Sequence, residues 1–436
     1  MGQGVLSPEQ RADLLADAGL ERRGDSLYFG GVHLDVIGAG AGTPAYVYNA
    51  EAIRRQYARL DAAFAALPHR ICYAVKANSN LAVLRVLRDA GAGADIVSGG
   101  ELQRAIAAGF DPARIVFSGV GKSPAELEAA VATGVGHIHL ESADELRELS
   151  LVVDRFGRDV AVGIRVNPDV TAETHPYIST GQGGIKFGVP FDQVPDLALA
   201  VQRQGRLRLD SIAMHIGSQI LNPSPYREGL KRLADLIARL REAGISTLRN
   251  LDLGGGLGIR YRDEVPLDPE RLAEGILPLA RETGLEVVLE PGRFLVGSAG
   301  VLLTTVLSRK HSGGKDLILV DAGMNDLVRP SHYMAYHDIV ELELHGRPEA
   351  RVDVVGPVCE TGDFLALDRT LPGLAAGERL AVLGAGAYGF VMSSTYNARP
   401  RAAEVLVDGG RWAIVRPRER IEALFEEETA VPGWQA

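Results

Sequence analysis

The chain has 436 residues, of which 46% are hydrophobic and 23% charged, and its formal net charge is -10. Such a composition supplies a sizeable apolar core, which excludes a disordered chain. The excess of acidic over basic residues excludes a general electrostatic field for nucleic acid or an anionic membrane. We expect a cytoplasmic protein, because there are only two cysteines, no signal-peptide layout and no apolar run of the roughly 18 residues that span a membrane.

Residues 71–292 alternate short apolar runs with longer amphipathic stretches. Eight such strand–helix units over about 250 residues predict a (β/α)8 barrel, also called a TIM barrel. The preceding runs at 44–49 and 51–67 would form a first strand and helix ahead of it. Eight apolar runs are typical of parallel strands that are covered on both faces: ICYAVKA (71–77), GADIVSG (93–99), RIVFSG (114–119), HIHL (137–140), VAVGIRV (160–166), SIAMHI (211–216), NLDLGGG (250–256) and EVVLEPG (286–292).

After residue 295 the runs become short and nearly alternating, separated by Gly, Pro and charged turns, which predicts an antiparallel β domain. The segment SLYFGGVHLDV (26–36) has the same short, nearly alternating pattern and is expected to join this β domain. The predicted fold class is therefore α/β, with a (β/α)8 barrel at 43–295. Residues 1–42 and 296–436 would form an antiparallel β-sandwich or barrel domain that completes the active site and the dimer interface.

The active site of a (β/α)8 barrel lies at the carboxyl ends of its strands. Polar and glycine-rich residues of this sequence fall on those predicted ends, which indicates an active site at that rim: Lys76, Ser98, Asn167, His215, the GGGLG run at 254–258 and the Glu290–Arg293 turn.

Lys76 follows a buried strand, where burial would leave a free amine able to condense with an aldehyde; the alternative is a lysine that reaches solvent. The glycines of 254–258 and Arg293 could bind a phosphate, although a glycine triplet can also be only a flexible turn. Together these features fit pyridoxal phosphate. Glu290 would then keep the pyridine nitrogen protonated, and His215 would stack on the ring unless it is simply a core histidine.

Cys359 lies in a polar turn, where a thiol can return a proton to a carbanion or be inert. GAGAYG (384–389) has the spacing of a dinucleotide fingerprint but lacks a following amphipathic helix. His137 and His139 lie in a short apolar strand, so we expect a structural role and no metal site. The glycine-rich segment 175–188 is expected to be a mobile loop over the barrel mouth.

In combination the chain resembles the diaminopimelate decarboxylases, which are group IV pyridoxal-phosphate decarboxylases of the alanine racemase-like fold. The resemblance extends from residue 42 to about 409. It rests on segments in a fixed order: YAVKANSN, GADIVSGGEL, HPYISTGQGGIKFG, HIGSQI, LDLGGGLG, EPGRFLVGSAG, AGMNDLVRPSHYMAYH, GPVCETGDFLA and GAGAYGFVMSSTYNARPR.

The resemblance implies that Lys76 holds the cofactor as a Schiff base and that Cys359 protonates the quinonoid formed on it. Thr361 and the pair Ser331–His332 depart from the residues common in this family, which affects only fine specificity. The implied cofactor-binding residues are Lys76, Asp95, His215, Ser218, Gly255, Gly256, Glu290, Gly292, Arg293 and Tyr388. The implied substrate-binding residues are Arg293, Arg329, Tyr333, Glu360 and Tyr388.

The implied reaction is decarboxylation of meso-2,6-diaminopimelate to L-lysine and carbon dioxide, the last step of lysine biosynthesis. The resemblance also implies a homodimer in which Cys359 and Glu360 reach the partner's site. A related decarboxylase of ornithine, arginine, D-lysine or carboxynorspermidine is the nearest alternative. An amino-acid racemase is disfavoured, because racemases of this fold place an arginine where Glu290 stands, and a silent homologue is disfavoured by the presence of both Lys76 and Cys359.

Overall fold

The computed structural model describes residues 6–170 and 186–428. It divides into two compact units, which we call the barrel unit (Ala52–Arg260 and Glu264–Gly297) and the sheet unit (Met1–Glu51, Tyr261–Asp263 and Ser298–Ala436). Most of the segment predicted as a loop at 175–188 lies outside the described residues. Within the described part of the chain, no helix has both the length and the apolar character needed to cross a membrane.

The N-terminal part of the sheet unit begins with a capped helix. Ser7 and Gln10 form a reciprocal capping box, and Gly19 in the left-handed conformation ends the helix. The elements in chain order are α1 (Pro8–Ala18), β1 (Leu20–Arg23), β2 (Ser26–Phe29), β3 (Val32–His33), α2 (Leu34–Ala41) and β4 (Ala45–Asn49).

Parallel strands close the barrel. The order is β5-β6-β7-β8-β9-β11-β12-β13, with β13 pairing back onto β5, so the predicted (β/α)8 barrel is confirmed. The short β10 pairs only with β9. The strands are β5 (His69–Ala74), β6 (Gly93–Ile96), β7 (Ile115–Phe117), β8 (His137–Leu140), β9 (Val160–Asn167), β10 (Val189–Pro190), β11 (Leu207–Met214), β12 (Asn250–Asp252) and β13 (Glu286–Leu289).

Amphipathic helices cover the barrel strands. In α9 the predicted stripe of Leu230, Leu233, Leu236, Ile237 and Leu240 is buried. The predicted Ser123 capping box at the start of α6 is also present. The helices are α3 (Ala50–Phe64), α4 (Leu81–Asp89), α5 (Gly99–Ala108), α6 (Pro124–Thr133), α7 (Ala143–Phe156), α8 (Val194–Gln202), α9 (Ser224–Glu242), α10 (Pro269–Thr283) and α11 (Arg293–Val296).

The β-like runs predicted after residue 295 form eight strands, and one short helix lies among them. Their sheet is mixed rather than purely antiparallel, because β15 pairs in parallel with β17 and β4 pairs in parallel with β20. The elements are β14 (Gly300–Ser312), β15 (Lys315–Val320), α12 (Arg329–Tyr333), β16 (Ile339–Glu341), β17 (Glu349–Val355), β18 (Phe364–Pro372), β19 (Arg379–Val382), β20 (Ala403–Asp408) and β21 (Arg411–Arg416).

The run at 44–49 is not a first strand of the barrel. It forms β4, which lies between β14 and β20 in the mixed sheet. All five residues of β4 are buried, so its apolar run has the same appearance as a barrel strand, and the sequence could not distinguish the two sheets.

The N-terminal segment joins the core of the sheet unit, as expected. One hydrophobic cluster contains Leu27 and Phe29 of β2 together with Val47, Val301 and Leu383. The amide of Leu27 also donates to the carbonyl of Leu342 at 2.9 Å. After the GAGAYG run the chain enters only a 3-10 turn at Phe390–Met392, so the helix of a dinucleotide-binding unit is absent there.

Candidate active site

The carboxyl ends of the barrel strands enclose a cavity of about 320 Å³. Three residues that the sequence singled out, Lys76, His215 and Glu290, line it. Its other lining residues are Val97, Ser118, Gly119, Val120, His139, Arg165, Phe187, Ala213 and Met214. The volume falls within the range of small-molecule sites, and the strand ends are where barrel active sites lie.

Lys76 lies just beyond the first barrel strand, in the 3-10 turn Val75–Ala77, rather than at the end of the strand. Its Nζ is 2.5 Å from Oδ2 of Asp95, and about a third of its side chain is exposed. The ion pair favours the charged ammonium, so the expectation that burial alone would leave a free amine is wrong.

Asp95 lies on β6 opposite Ala74 of β5, which brings its carboxylate beside Lys76. The residue is fully buried, and its Oδ1 accepts no hydrogen bond among the described residues. A buried acceptor without a partner is costly, so this oxygen is available to a polar group that enters the cavity.

Glu290 follows β13 and is buried. Its Oε1 accepts a hydrogen bond from the Ser118 hydroxyl at 3.1 Å. Burial, reinforced by the charges of Asp252 and Asp95, raises the pKa of Glu290 well above its ordinary value. A carboxyl in this state can hold a proton at neutral pH and share it with a basic nitrogen.

Asp252 and His139 lie next to Glu290 in the barrel interior. One ligand atom from each of these residues and Glu290 lies within 4.8 Å of the others. Such spacing is also found in metal sites, but Glu290 already accepts from Ser118 and Asp252 from the Gly254 amide at 2.8 Å. Burial raises the pKa of Asp252 to about 7. We interpret the group as a pair of acids that shares protons.

His215 lies directly after β11 and is held as a neutral imidazole. Burial, helped by the positive charges of Arg165 and Lys76, lowers the pKa of His215 well below its usual value. The amide of Gly255 donates to its Nδ1 at 3.2 Å, which places the ring proton on Nε2. A neutral ring fixed in this way can pack against a flat ligand.

The glycine turn after β12 packs too tightly for any side chain. A Cβ on Gly255 would lie 2.1 Å from the Glu290 carbonyl oxygen, and one on Gly256 would lie 2.5 Å from the Gly217 carbonyl oxygen. Gly256 also has a φ of 109°, which disfavours L side chains. The turn therefore leaves bare backbone beside His215, which lines the cavity, as a phosphate site requires.

Arg293 lies close to this turn because its Nη2 donates to the Ser218 hydroxyl at 3.0 Å. Gly292 precedes Arg293, and a Cβ added to Gly292 would lie only 3.0 Å from the Cβ of Ala77. The barrel unit thus connects all nine of its predicted site residues through contacts or a shared cavity: Lys76, Asp95, His215, Ser218, Gly255, Gly256, Glu290, Gly292 and Arg293.

The sheet unit holds the other five predicted residues. Arg329 begins α12 and is buried, with its guanidinium carbon 5.0 Å from the Tyr261 ring centre and 5.9 Å from that of Tyr333. Its Nε also donates to Nε2 of His337 at 3.3 Å. These neighbours restrict the orientation of the planar guanidinium, a group that can bind a carboxylate at two points.

Cys359 and Glu360 are exposed on a turn that follows β17. The turn is rigid, because the Asp363 carboxylate accepts the amides of Met324 and Val358, both at 2.6 Å. The Cys359 amide donates to Asn397 at 2.7 Å. Tyr388, the fifth residue, has a left-handed φ of 56°.

Sequence reasoning missed four residues of the cavity and its floor: Ser118, His139, Arg165 and Asp252. Each lies in the carboxyl-terminal half of a barrel strand or directly after it, at a polar position within an otherwise apolar run. That position was a usable signal, because a polar side chain facing the inside of a barrel is costly unless it has a partner or a function. His139 was instead interpreted as purely structural.

Comparison with known proteins gives the class. Residues 50–297 match the family model described as "Pyridoxal-dependent decarboxylase, pyridoxal binding domain". The chain belongs to this family of pyridoxal-dependent decarboxylases and, within it, to the diaminopimelate decarboxylases, which confirms the resemblance seen in the sequence.

Three relatives illustrate the match. A diaminopimelate decarboxylase of Pseudomonas aeruginosa is 48% identical over 94% of this chain and 98% of its own length. A crystal structure of the Helicobacter pylori enzyme complexed with L-lysine has a TM-score of 0.88 at 39% identity, covering 91% of this chain and 99% of that one. The structure of the M. jannaschii enzyme in complex with L-lysine has a TM-score of 0.91 at 32% identity, covering 95% of this chain and 98% of that one.

Proposed function

We propose that this chain decarboxylates meso-2,6-diaminopimelate to L-lysine and carbon dioxide, the last step of lysine biosynthesis, with pyridoxal 5'-phosphate as cofactor. The observation that carries the proposal is the barrel cavity, where the amine of Lys76 and the buried acid Glu290 face one space. Family membership supports the same reaction, because relatives at 40–48% identity carry this enzyme name.

The residues present fit the cofactor. The unsatisfied Oδ1 of Asp95 beside Lys76 offers an acceptor, and the glycine turn that excludes every Cβ offers bare backbone. Lys76 would hold the aldehyde carbon through its ε-nitrogen, and Ser218, Gly255, Gly256, Gly292 and Arg293 would hold the phosphate. When bound, the cofactor supplies an electron-accepting ring that takes up the electrons of the broken carbon–carbon bond.

The barrel unit would prepare this chemistry. Glu290 would hold a proton at the pyridine nitrogen, which makes the ring a stronger electron acceptor. His215, neutral and fixed by Gly255, would pack against the ring. The apolar side chains of Val97, Val120 and Met214 that line the cavity would exclude water.

Residues of the sheet unit would select the substrate and return the proton. Arg329 would bind the distal carboxylate that diaminopimelate has and that ornithine and lysine lack, with Tyr333 beside it. Tyr388 would contact substrate and cofactor, and Glu360 would bind the distal ammonium. Cys359 would donate a proton to the α carbon after carbon dioxide has left.

We also propose a homodimer with shared sites and a cytoplasmic location. The exposed thiol and carboxylate of Cys359 and Glu360 stand on a rigid turn, which suits residues that act in a partner's site. We propose that the barrel unit is the cofactor-binding domain and that the sheet unit is the second domain; the limits 43–295 expected from the sequence placed β4, which belongs to the mixed sheet, in the barrel. Both cysteines are free, as in a reducing compartment.

The alternative within the family is decarboxylation of ornithine, arginine, D-lysine or carboxynorspermidine. A panel of these substrates and meso-diaminopimelate, assayed for carbon dioxide with and without pyridoxal phosphate, decides between them. We expect cofactor-dependent release from diaminopimelate alone. Faster release from a substrate with no distal carboxylate would overturn the substrate assignment, and release that does not depend on the cofactor would overturn the whole proposal.

A further inference from the structure

Asp252 and Glu290 project into the barrel from neighbouring strands. Asp252 pairs with Val288 across β12 and β13, and the Glu290 amide donates to the Gly254 carbonyl at 2.9 Å. The two residues are only 1% and 7% exposed. The backbone therefore fixes two carboxyl groups side by side in the interior.

Each carboxyl has one oxygen that is already engaged. The Gly254 amide donates to Oδ1 of Asp252 at 2.8 Å, and the Ser118 hydroxyl donates to Oε1 of Glu290 at 3.1 Å. Oδ2 of Asp252 is buried and has no hydrogen-bond partner among the described residues. One ligand atom of each carboxyl lies within 4.8 Å of the other, so the two acids are close enough for the charge of one to affect the protonation of the other.

The cations near this pair of carboxyl groups already form ion pairs with other acids. Lys76 pairs with Asp95, Arg165 with Glu141 at 2.9 Å, and Arg70 with Glu286 at 3.1 Å. Burial lowers the pKa of His139 far below its usual value, so this residue adds no positive charge. The charged and titratable groups that face the pair are Lys76, Asp95, Arg70, His139, Arg165 and the thiol of Cys72.

Two ionised carboxylates at this spacing, with no cation of their own, would be strongly disfavoured in a buried site. The pKa of Glu290 is raised well above its ordinary value and that of Asp252 to about 7, in both cases mainly by burial. Near neutral pH the pair therefore retains one proton, which belongs to the pair rather than to either residue.

We propose that Asp252 is a positioning residue, which keeps a proton on Glu290 until the pyridine nitrogen of the cofactor takes it. The bond between oxygen and hydrogen in the pair breaks, the bond between nitrogen and hydrogen forms, and no proton comes from the solvent. Glu290 would then hold the positive ring nitrogen, with the negative charge of Asp252 next to Glu290. The inference rests on the proposed function, because it assumes that a pyridine ring enters this cavity.

The first test needs no cofactor. Infrared spectra of the full chain at pH 8, recorded without pyridoxal phosphate, should show the carbonyl stretch of one protonated carboxyl group. The pH lies above the value of about 7 to which burial raises the pKa of Glu101, a half-buried acid elsewhere in the barrel unit. In Glu290→Gln the band should be absent at pH 8, because only Asp252, whose pKa burial raises to about 7, remains. In Asp252→Asn the band should disappear at a lower pH than in the unmodified chain, because the charge of Asp252 no longer adds to the effect of burial on the pKa of Glu290.

Asp210→Asn is the matched control. Asp210 is also a buried barrel carboxylate, but it pairs with His137 at 3.0 Å, and the hydrogen bonds from His137 lower its pKa despite its burial. This variant should keep the band, as should Asp252→Glu, which keeps both acids. A band that disappears at the same pH in Asp252→Asn as in the unmodified chain would overturn the inference, since the proton would then belong to Glu290 alone.

The second test counts protons on binding of pyridoxal phosphate, by calorimetry in two buffers of different ionisation enthalpy. At a pH where Asp252→Asn has lost the infrared band and the unmodified chain keeps it, the variant should take up more protons per site, and it should bind about tenfold more weakly for each pKa unit of stabilisation that is lost. Equal proton uptake would contradict the inference while leaving the proposed function intact. If the unmodified chain failed to bind pyridoxal phosphate, the proposed function would fail, and the infrared result would still be valid.

Discussion

The amine of Lys76 lies 2.5 Å from Oδ2 of Asp95, and the other oxygen of that buried carboxylate has no hydrogen-bond partner in the part of the chain that the structure describes. An ammonium group cannot attack an aldehyde until it loses a proton. In the proposed reaction the Lys76 amine would have to leave this ion pair before it binds the cofactor aldehyde, and Asp95 would remain beside it as a hydrogen-bond acceptor.

Borohydride treatment of the holoprotein should attach a pyridoxyl group to Lys76, because reduction fixes a carbon–nitrogen double bond formed by its amine. Peptide mass mapping would locate the modification. Lys76→Ala should carry no pyridoxyl group. Lys231→Ala, which replaces an exposed lysine of α9, should carry the group on Lys76, as the wild-type chain does. A pyridoxyl group on another lysine would refute the assigned role of Lys76.

Arg329→Ala should lower kcat/KM for diaminopimelate roughly a hundredfold, since removal of a buried charge partner costs about 2–5 kcal/mol. Steady-state kinetics on protein of unchanged circular dichroism would measure it. Arg351→Ala is the control, because that arginine pairs with Asp368 at the surface with 70% of its side chain exposed. Unchanged kinetics in Arg329→Ala would remove this residue from the substrate site.

Gly255→Ala should destabilise the chain by about 1–3 kcal/mol, because its Cβ would overlap the Glu290 carbonyl oxygen and force the backbone apart. It should also weaken binding of pyridoxal phosphate. Denaturant unfolding and cofactor titration would measure the two effects. Gly205→Ala, at a position with no atom within 4 Å of the added Cβ, should change neither, and a loss of the same size there would point to a nonspecific cause.

His215→Gln should make stability less sensitive to acid. Because burial lowers the pKa of His215 in the folded chain, the unfolded chain binds a proton below about pH 6.5 that the folded chain does not. The free energy of unfolding therefore falls as the pH drops, by at most about 1.4 kcal/mol per pH unit from this residue. Urea unfolding from pH 7 to pH 5 should show a shallower slope for the variant, while His311→Gln, at an exposed position, should retain the original slope.

Much of the fold could be predicted because its signals are local. Continuous apolar runs such as 137–140 coincide with barrel strands, and Ser123 marks the start of α6 by a capping box. The assignment of 44–49 to the barrel failed because β4 is buried on both faces like a barrel strand. Only its partners β14 and β20, which are distant in sequence, distinguish it.

Site residues could be predicted from the sequence where the side-chain type alone suggests the chemistry. They could not be predicted where their role depends on which residues lie beside them. Lys76 and Glu290 were visible at predicted strand ends, but the ion pair that charges Lys76 depends on the register between β5 and β6. Asp252 was missed because one aspartate at the end of a short strand becomes informative only once Glu290 is known to lie beside it.

The position of β4 also sets an order of events during synthesis on the ribosome. Its neighbours, β14 and β20, begin at Gly300 and Ala403, so β4 leaves the exit tunnel long before either can pair with it. By contrast, the strands of the barrel unit emerge largely one after another beside their partners. A chain released before residue 403 would keep one edge of β4 open, which is a template for association with other unfinished chains.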